Sequence, residues 1–427
     1  MKALILALTL VSQPWSLQQC IDWALENNLS VASQALTVED RRLDKNTADN
    51  AWLPQVNASA GENFNFGRGI GGNNTYDYGN SSSTSFGLNA NMTLFDGLAT
   101  PRRAQLAKLN LDAALADLEK ARNDIRMKVT QAYVQILYDY EIADVSQNQV
   151  DIDSLQVARL ESLLASGKAS AAEVSQQKAS LAQSRVSLIN ARNDVRTSLL
   201  SLAQLLEIPF DESFCIVRPT LELEEVVIGH PDDIYADALG LRPEIQAEKL
   251  RLDGAAKQLQ IARAAYLPSL SLSAGMGTNY YTSFASQGFM DQMKNNFSQY
   301  VGLTLSIPIF NRFSTRNSVR SAQLQQRSQQ LQLRQTQQTL YKEIQQAWNK
   351  AVAAQAKWEA SRAASDAAQD AFELMQAKYE NGKATITEFN ETRNQLVKAQ
   401  SDAVQATYEY LFQTRLVEFY RGGALVL

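Results

Sequence analysis

The sequence predicts an α+β membrane protein of two structural repeats, each giving two β-strands to a shared β-barrel and long coiled-coil helices to a helical barrel. Three observations predict it. Sequence landmarks recur at an almost constant offset, the hydrophobic period switches between two and three-to-four within each copy, and the strands are apolar on one face and small and uncharged on the other.

The recurrence comes first. AWLPQVNASAG at 51–61 returns as AYLPSLSLSAG at 265–275, an offset of 214. FGLNANMTLFDG at 86–97 returns as VGLTLSIPIFNR at 301–312, VTQAYVQIL at 129–137 as IQQAWNKAV at 344–352, and SGKASAAEV at 166–174 as NGKATITEF at 381–389, each at 215. Matches in one order at one spacing identify a duplicated unit.

The strands follow from a period of two. Val56, Ala58, Ala60, Phe64 and Phe66 alternate with Gln55, Asn57, Ser59, Gly61, Asn63 and Asn65, with Glu62 on the apolar side. The same alternation carries Phe86, Leu88, Ala90, Met92 and Leu94, then Leu270, Leu272, Ala274 and Met276, then Val301, Leu303, Leu305, Ile307 and Ile309. These stretches predict strands at 52–67, 83–96, 266–280 and 299–310. In a soluble protein such strands would cover a core. Their polar sides, however, carry Asn, Ser, Gly and Thr in place of Lys and Glu, and aromatics gather near the strand ends (Trp52, Phe64, Phe66, Phe95, Tyr266, Tyr280, Tyr281, Phe310). A Gly/Asn/Ser-rich loop, GRGIGGNNTYDYGNSSS, joins the first pair. Apolar outside, polar inside, aromatic girdles and long loops describe a transmembrane β-barrel. Four strands cannot close, since even small membrane barrels use about eight, and an open edge in lipid costs several kcal/mol per unpaired group. Several chains must therefore pool their strands.

The helices follow from a period of three to four. Residues 101–165 hold no Pro after Pro101 and no Gly, and 170–206, 315–380 and 385–420 are alike, which predicts helical hairpins at 101–206 and 315–420. A helix of 65 residues would be about 100 Å long and must pack beside partners in coiled-coil fashion. The hairpin tips fall at 166–170 and 381–385. Gly167 and Gly382 suit the left-handed residue that ends a helix. Ser170 with Glu173, and Thr385 with Glu388, make capping boxes for the next helix.

The remaining features exclude more than they assign. Lys2 precedes the apolar run Ala3 to Val11, and small and polar residues follow, as in a secretory signal peptide over about 1–16. Gln19 before Cys20 argues against a lipid anchor there. Cys20 and Cys215 either pair, as cysteines of exported chains do, or stay separate thiols. One histidine, His230, and two distant cysteines leave no metal cluster and no nucleophile–His motif, so neither an enzyme nor a cofactor is expected. A net charge of −5 with scattered basic residues excludes nucleic acid as a partner.

With these residues assembled, the chain resembles the TolC family of outer-membrane efflux proteins. The resemblance rests on SLQQCIDWALENNLSV near the start, the two A-[WY]-L-P strand entries, and the two G-K-A turns leading into E-V and E-F. It implies a homotrimer in outer-membrane lipid whose protomers form a 12-stranded barrel above a periplasmic helical barrel. It also implies an exit duct of a Gram-negative bacterium, fed by an inner-membrane RND, ABC or MFS pump through a periplasmic adaptor. The first repeat then spans 17–207, an equatorial linker 208–230, the second repeat 231–421 and a tail 422–427. A disulfide between Cys20 and Cys215 would lie near that linker. By resemblance, Glu388 and Glu391 fall on an acidic ring at the periplasmic gate, and Tyr379 is linked there to the carboxylate of Glu173. Ala384 stands where some relatives place an Arg, which puts an Arg-based lock in doubt. Gly167, Lys168, Ala169, Ser170, Gly382, Lys383, Ala384 and Thr385 are the expected adaptor-contacting tips. The alternative from another class is a periplasm-spanning coiled-coil scaffold without channel activity.

Overall fold

The computed structural model describes residues 14–70, 75–219, 226–282, 288–423 and 425. Most of the expected leader, part of the linker and half of the tail lie outside the described residues. The first repeat runs α1 (Leu17–Asn27), α2 (Leu29–Asp49), β1 (Gln55–Asn65), β2 (Arg68–Ile70), β3 (Tyr76–Tyr78), β4 (Ser81–Phe95), α3 (Ala99–Ala165) and α4 (Ala171–Leu205). The second runs α5 (Pro231–Leu241), α6 (Pro243–Ala264), β5 (Ser269–Tyr281), α7 (Phe289–Asn295), β6 (Ser298–Ser306), α8 (Ser314–Glu380) and α9 (Ile386–Tyr420). The chain divides into two compact units, one of residues 38–114 and 247–333 and one of residues 1–37, 115–246 and 334–427.

The first of these units holds the sheet. Its four strands are antiparallel in the order β1-β4-β5-β6, so β4 and β5, one from each repeat, pair with each other. Backbone hydrogen bonds thus join the two copies. Cross-strand rows keep the faces distinct: Val56, Ala90, Ala274 and Val301 are in register, and so are Asn57, Asn89, Gly275 and Tyr300. The apolar side is uncovered, with Val301 77 % and Leu303 66 % exposed. A soluble sheet would bury such residues, at roughly 1.5–3 kcal/mol for each Val or Leu.

Strand ends differ from the sequence reading for a local reason. Trp52-Leu53 and Tyr266-Leu267 belong to the turns that leave α2 and α6, with the Leu53 N–H donating to the Asn50 carbonyl (3.0 Å) and the Leu267 N–H to that of Ala264 (2.9 Å). Pro54 and Pro268 carry no N–H, and each strand starts at the next residue. At the other end β6 stops at Ser306, two residues before Pro308, so Ile307–Phe310 continue the alternation without the ladder. The loop read at 67–83 contains the short ribbon β2–β3, where Arg68 lies 5.5 and 5.9 Å from the Tyr76 and Tyr78 rings. Helix α7 is clipped to β5 by Gln292, whose amide both donates to the Tyr281 carbonyl (3.1 Å) and accepts from its N–H (3.0 Å).

The return from sheet to helix repeats the same backbone device. Gly97 and Leu98 are both left-handed (φ 69° each), and so are Arg312 and Phe313 (φ 52° and 64°). At Gly97 an added Cβ would lie 2.8 Å from the Ala264 carbonyl oxygen, which excludes a side chain.

In the helical unit the start of the chain is pinned to the linker. Trp15 forms a bridge with Ile216, its N–H donating to the Cys215 carbonyl (3.0 Å), and the Tyr133 hydroxyl donates to the Val217 carbonyl (2.6 Å). The Trp23 indole N–H donates to the Leu206 carbonyl (3.0 Å), and the Asn28 amide to that of Leu205 (3.1 Å). Tyr133, Ile136, Leu202, Leu206, Ile234, Ile245, Leu340, Ile344 and Tyr410 are fully buried in this unit. Cys20 and Cys215 are free thiols and no disulfide joins them; burial pushes the Cys20 thiol up to about 12.

The polar sheet face yields a packing prediction. Tyr300 lies across Gly275 and its hydroxyl donates to Asn89 Oδ1 (3.3 Å), while a Cβ on Gly275 would sit 2.6 Å from the ring. Gly275→Val should destabilise the sheet by about 1–3 kcal/mol. Adding Tyr300→Ala should recover only part of that loss, because Asn89 Oδ1 would still lie 2.7 Å from the added Cβ, as read from thermal unfolding in detergent.

Candidate functional site

The two hairpin tips are built alike from the backbone up. Helix α3 ends in a Schellman motif, with Lys168 N–H donating to the Leu163 carbonyl (2.8 Å) and Gly167 N–H to that of Leu164 (2.9 Å). At the end of α8, Lys383 N–H donates to the Lys378 carbonyl (2.9 Å) and Gly382 N–H to that of Tyr379 (3.0 Å). Gly167 and Gly382 are left-handed, at φ 72° and 69°. Ser170 then caps α4: its N–H donates to Glu173 Oε2 (2.7 Å), and the Glu173 N–H donates to Ser170 Oγ (3.2 Å). Thr385 and Glu388 repeat the box at α9 with the same two distances, 2.7 and 3.2 Å. The capping N–H groups hold both carboxyls below the usual carboxylate range, each side chain's hydroxyl adding to the effect.

Around these turns lies a small apolar cluster drawn from both repeats. Leu160, Val174, Phe372, Ile386, Phe389 and Leu396 are buried together, with Ala169 and Tyr379 packed against them. The Tyr379 ring stacks on Phe389 (centroids 4.9 Å apart, planes at 25°), and Phe389 meets Phe372 at 5.5 Å. Burial raises the Tyr379 phenol, the guanidinium of Arg159 opposes that, and Glu173 adds to it. Lys168, Ser170, Lys383 and Thr385 are exposed, whereas Ala169 and Ala384 are half-buried.

Two expectations meet a different arrangement. Glu173 is near enough to weigh on the Tyr379 phenol, but its carboxylate is taken by the Ser170 cap, and no hydrogen bond among the described residues joins it to Tyr379. The tyrosine is held by stacking and by a cation. That cation is Arg159, on α3 of the other repeat, 5.7 Å from the ring centroid and ion-paired to Glu380 (3.5 Å). A guanidinium does therefore sit at this place, although position 384 is Ala. Glu388 and Glu391 lie one turn apart on the exposed side of α9.

One group was missed altogether. Asp153 on α3 is fully buried and accepts from Gln149 (3.0 Å) on its own helix, from Gln177 (3.0 Å) and Ser184 on α4, and from Arg393 on α9. Asp153 and Arg393 each fall in a polar helical stretch and read alone as solvated charges. Only the buried register of the neighbouring apolar residues could have exposed them.

The tips generate two predictions. Gly382→Ala should cost about 1–2 kcal/mol, because an L side chain is strained at that φ, and Ser170→Ala about 1 kcal/mol through loss of the cap; urea unfolding measures both. Glu173 and Glu388 stabilise the folded tips only while ionised. Their contribution is complete above the unfolded carboxylate value, about 4.3, and is lost as pH falls through the depressed folded values. Circular dichroism melts at descending pH should show Glu173→Gln and wild type converging below that range.

Comparison with known proteins bears on the whole chain. The model of the family described as outer membrane efflux protein matches residues 20–207 and 234–418, one stretch in each repeat. The pyoverdine export outer membrane protein OpmQ of Pseudomonas putida is 26 % identical over 320 residues, 73 % of this chain and 65 % of its own. The fusaric acid resistance protein FusA of Burkholderia cepacia is 26 % identical over 272 residues, 62 % of this chain and 49 % of its own. The chain thus spans between about half and two thirds of the length of these relatives. The crystal structure of the Campylobacter jejuni CmeC outer membrane channel shares the fold, with a TM-score of 0.82 at 19 % identity over 95 % of this chain and 85 % of that one. Duplicated strands, duplicated capped hairpins and a family match along both copies agree, and the chain belongs to the outer membrane efflux protein family.

Proposed function

We propose that this protein is the outer-membrane exit duct of a tripartite efflux or type I secretion system in a Gram-negative bacterium. Three copies would pool the four strands of each into a 12-stranded barrel, with the helical hairpins forming a periplasmic barrel. Cargo would pass without chemistry or energy input from the duct, delivered by an inner-membrane RND, ABC or MFS pump through a periplasmic adaptor. The observation that carries this reading is the sheet: an exposed apolar face, an uncharged polar face, and outer edges of β1 and β6 that no strand pairs among the described residues. Such a sheet is completed by lipid on one side and by identical edges at its ends. A coiled-coil scaffold has no use for it. The purified chain should run as a heat-modifiable trimer and conduct ions in planar bilayers; a monomer that does neither would favour the scaffold.

In this reading the hairpin tips form the periplasmic mouth. Glu388 and Glu391 supply its negative field, Tyr379 with Phe389 and Arg159 sets the spacing of its helices, Glu173 fixes the start of α4 beside them, and Lys168, Ala169, Ser170, Lys383, Ala384 and Thr385 meet the adaptor beside the turns at Gly167 and Gly382. The exposure of the two lysines and two carboxylates supports these roles. A Glu388→Gln/Glu391→Gln channel should lose cation preference in single-channel recordings under a salt gradient. Unchanged preference would remove both residues from the gate. Photo-crosslinkers at Lys168 and Lys383 should capture the adaptor in cells; capture only from helix flanks would take the tips out of the docking surface.

A further inference from the structure

We propose that the cavity at the joint of α5 and α6, beside the end of α9, binds a small monocarboxylate with an apolar side chain, its carboxylate held by Arg242 and Arg126. The site lies wholly within the helical unit and does not depend on the duct reading above.

The cavity measures about 490 Å³, inside the range of roughly 300–1,000 Å³ usual for small-molecule sites. Arg242 lies at its edge, between α5 and α6, and is only 7 % exposed. Its guanidinium packs over two rings at the end of α9, 4.4 Å from the Phe419 centroid and 4.5 Å from that of Tyr420. Ring faces attract the charge but offer no lone pair to the N–H groups. Those groups are poorly served otherwise. Nη2 donates to the Phe419 carbonyl at a long 3.4 Å, Nε is buried without a partner, and Nη1 makes no hydrogen bond among the described residues. No carboxylate among the described residues forms an ion pair with Arg242. Arg393, buried to a similar degree, shows the usual solution, since it meets the carboxylate of Asp153.

The surroundings define what would complete the site. Burial pushes the Arg242 guanidinium down, and the fields of Glu244, Tyr420, Glu343 and Asp124 hold it up. These carboxylates act from a distance, and Asp124 is engaged by Lys120 (2.6 Å). Arg126 of α3 lines the same cavity, where its Nη1 donates to the neutral Asn123 Oδ1 (2.7 Å). Two guanidinium groups without a counter-ion at one cavity call for an anion. A carboxylate is planar and accepts two parallel N–H bonds from a guanidinium fork. The three acids nearby repel each further negative charge, which favours a monoanion over a phosphate dianion. Ile21, Leu241 and Leu425 give the cavity an apolar wall that a bare inorganic ion would leave unused. An organic acid with a short apolar side chain meets all three requirements.

Isothermal titration of the intact chain in detergent at low salt tests this, with N-acetyl-L-leucine as the probe. The acid should bind saturably at one site per chain. Its carboxamide, which keeps the shape and loses the charge, should bind at least about 10-fold more weakly, and so should inorganic phosphate. Arg242→Lys, which keeps the charge and loses the fork, should weaken the acid by at least about 10-fold and leave the carboxamide unchanged. Arg126→Gln should weaken the acid by about 5-fold or more and serves if the Arg242 variant does not fold. Saturating acid should also raise the thermal midpoint of the wild type, as any ligand of the folded state does. Absence of binding at millimolar acid, equal binding of acid and carboxamide, phosphate binding as tight as the acid, or acid binding unchanged in Arg126→Gln would each overturn the proposal.

Discussion

Every backbone N–H and C=O withdrawn from water needs a partner, and this fold is organised by where its strands find theirs. Among the described residues β1 pairs with β4, β4 with β5 and β5 with β6, leaving one row of donors and acceptors open at each end. The central pairing is the one between repeats, so neither copy owns a complete sheet. Duplication supplied the strands, but a single duplication leaves the ladder unfinished. Proposed trimerisation completes it with the same chemistry that joins the copies, since β6 of one chain would meet β1 of the next as β4 meets β5.

The hairpin tips obey a different constraint. A helix end has orphan donors and acceptors that side chains or tight turns must absorb, and each tip does so within residues 163–173 or 378–388 through its Schellman turn and capping box. Because the turns are self-sufficient, their exposed lysines, and Glu391 one turn beyond the second capping box, are left for other duties. Glu173 illustrates the limit of that freedom: its carboxylate serves the cap, and Tyr379 takes its support from Phe389 and Arg159.

What the sequence made legible and what it concealed divide along sequence separation. Helix ends at 165, 171, 380 and 386 could be placed because Gly167, Gly382 and the two S/T-x-x-E boxes mark them within a few residues. Strand ends were blurred, because Trp52 and Tyr266 are apolar and in phase yet belong, with Leu53 and Leu267, to turns before a proline. The β2–β3 ribbon and α7 are too short to show a period. The Asp153–Arg393 pair was out of reach for a stronger reason. Its partners lie 240 residues apart, and nothing local to either says that it is buried. Arg159 beside Tyr379 is hidden in the same way, because it lies on the other hairpin while the tyrosine's own hairpin carries Ala384 at the place of an arginine.

The paired left-handed residues between sheet and long helix have a consequence for how such a chain can change over time. In one copy the corner is Gly-Leu and in the other Arg-Phe, yet both adopt the same backbone. The conformation at Arg312 and Phe313 is one that side chains resist by about 1–2 kcal/mol per residue, so it is imposed from outside the corner by the strand before it and the helix after it. A geometry enforced by its neighbours does not require a matching sequence. The two halves are thereby released to drift apart residue by residue while keeping the same corner, which is how one ancestral unit can leave a pair of descendants with different side chains on a common turn.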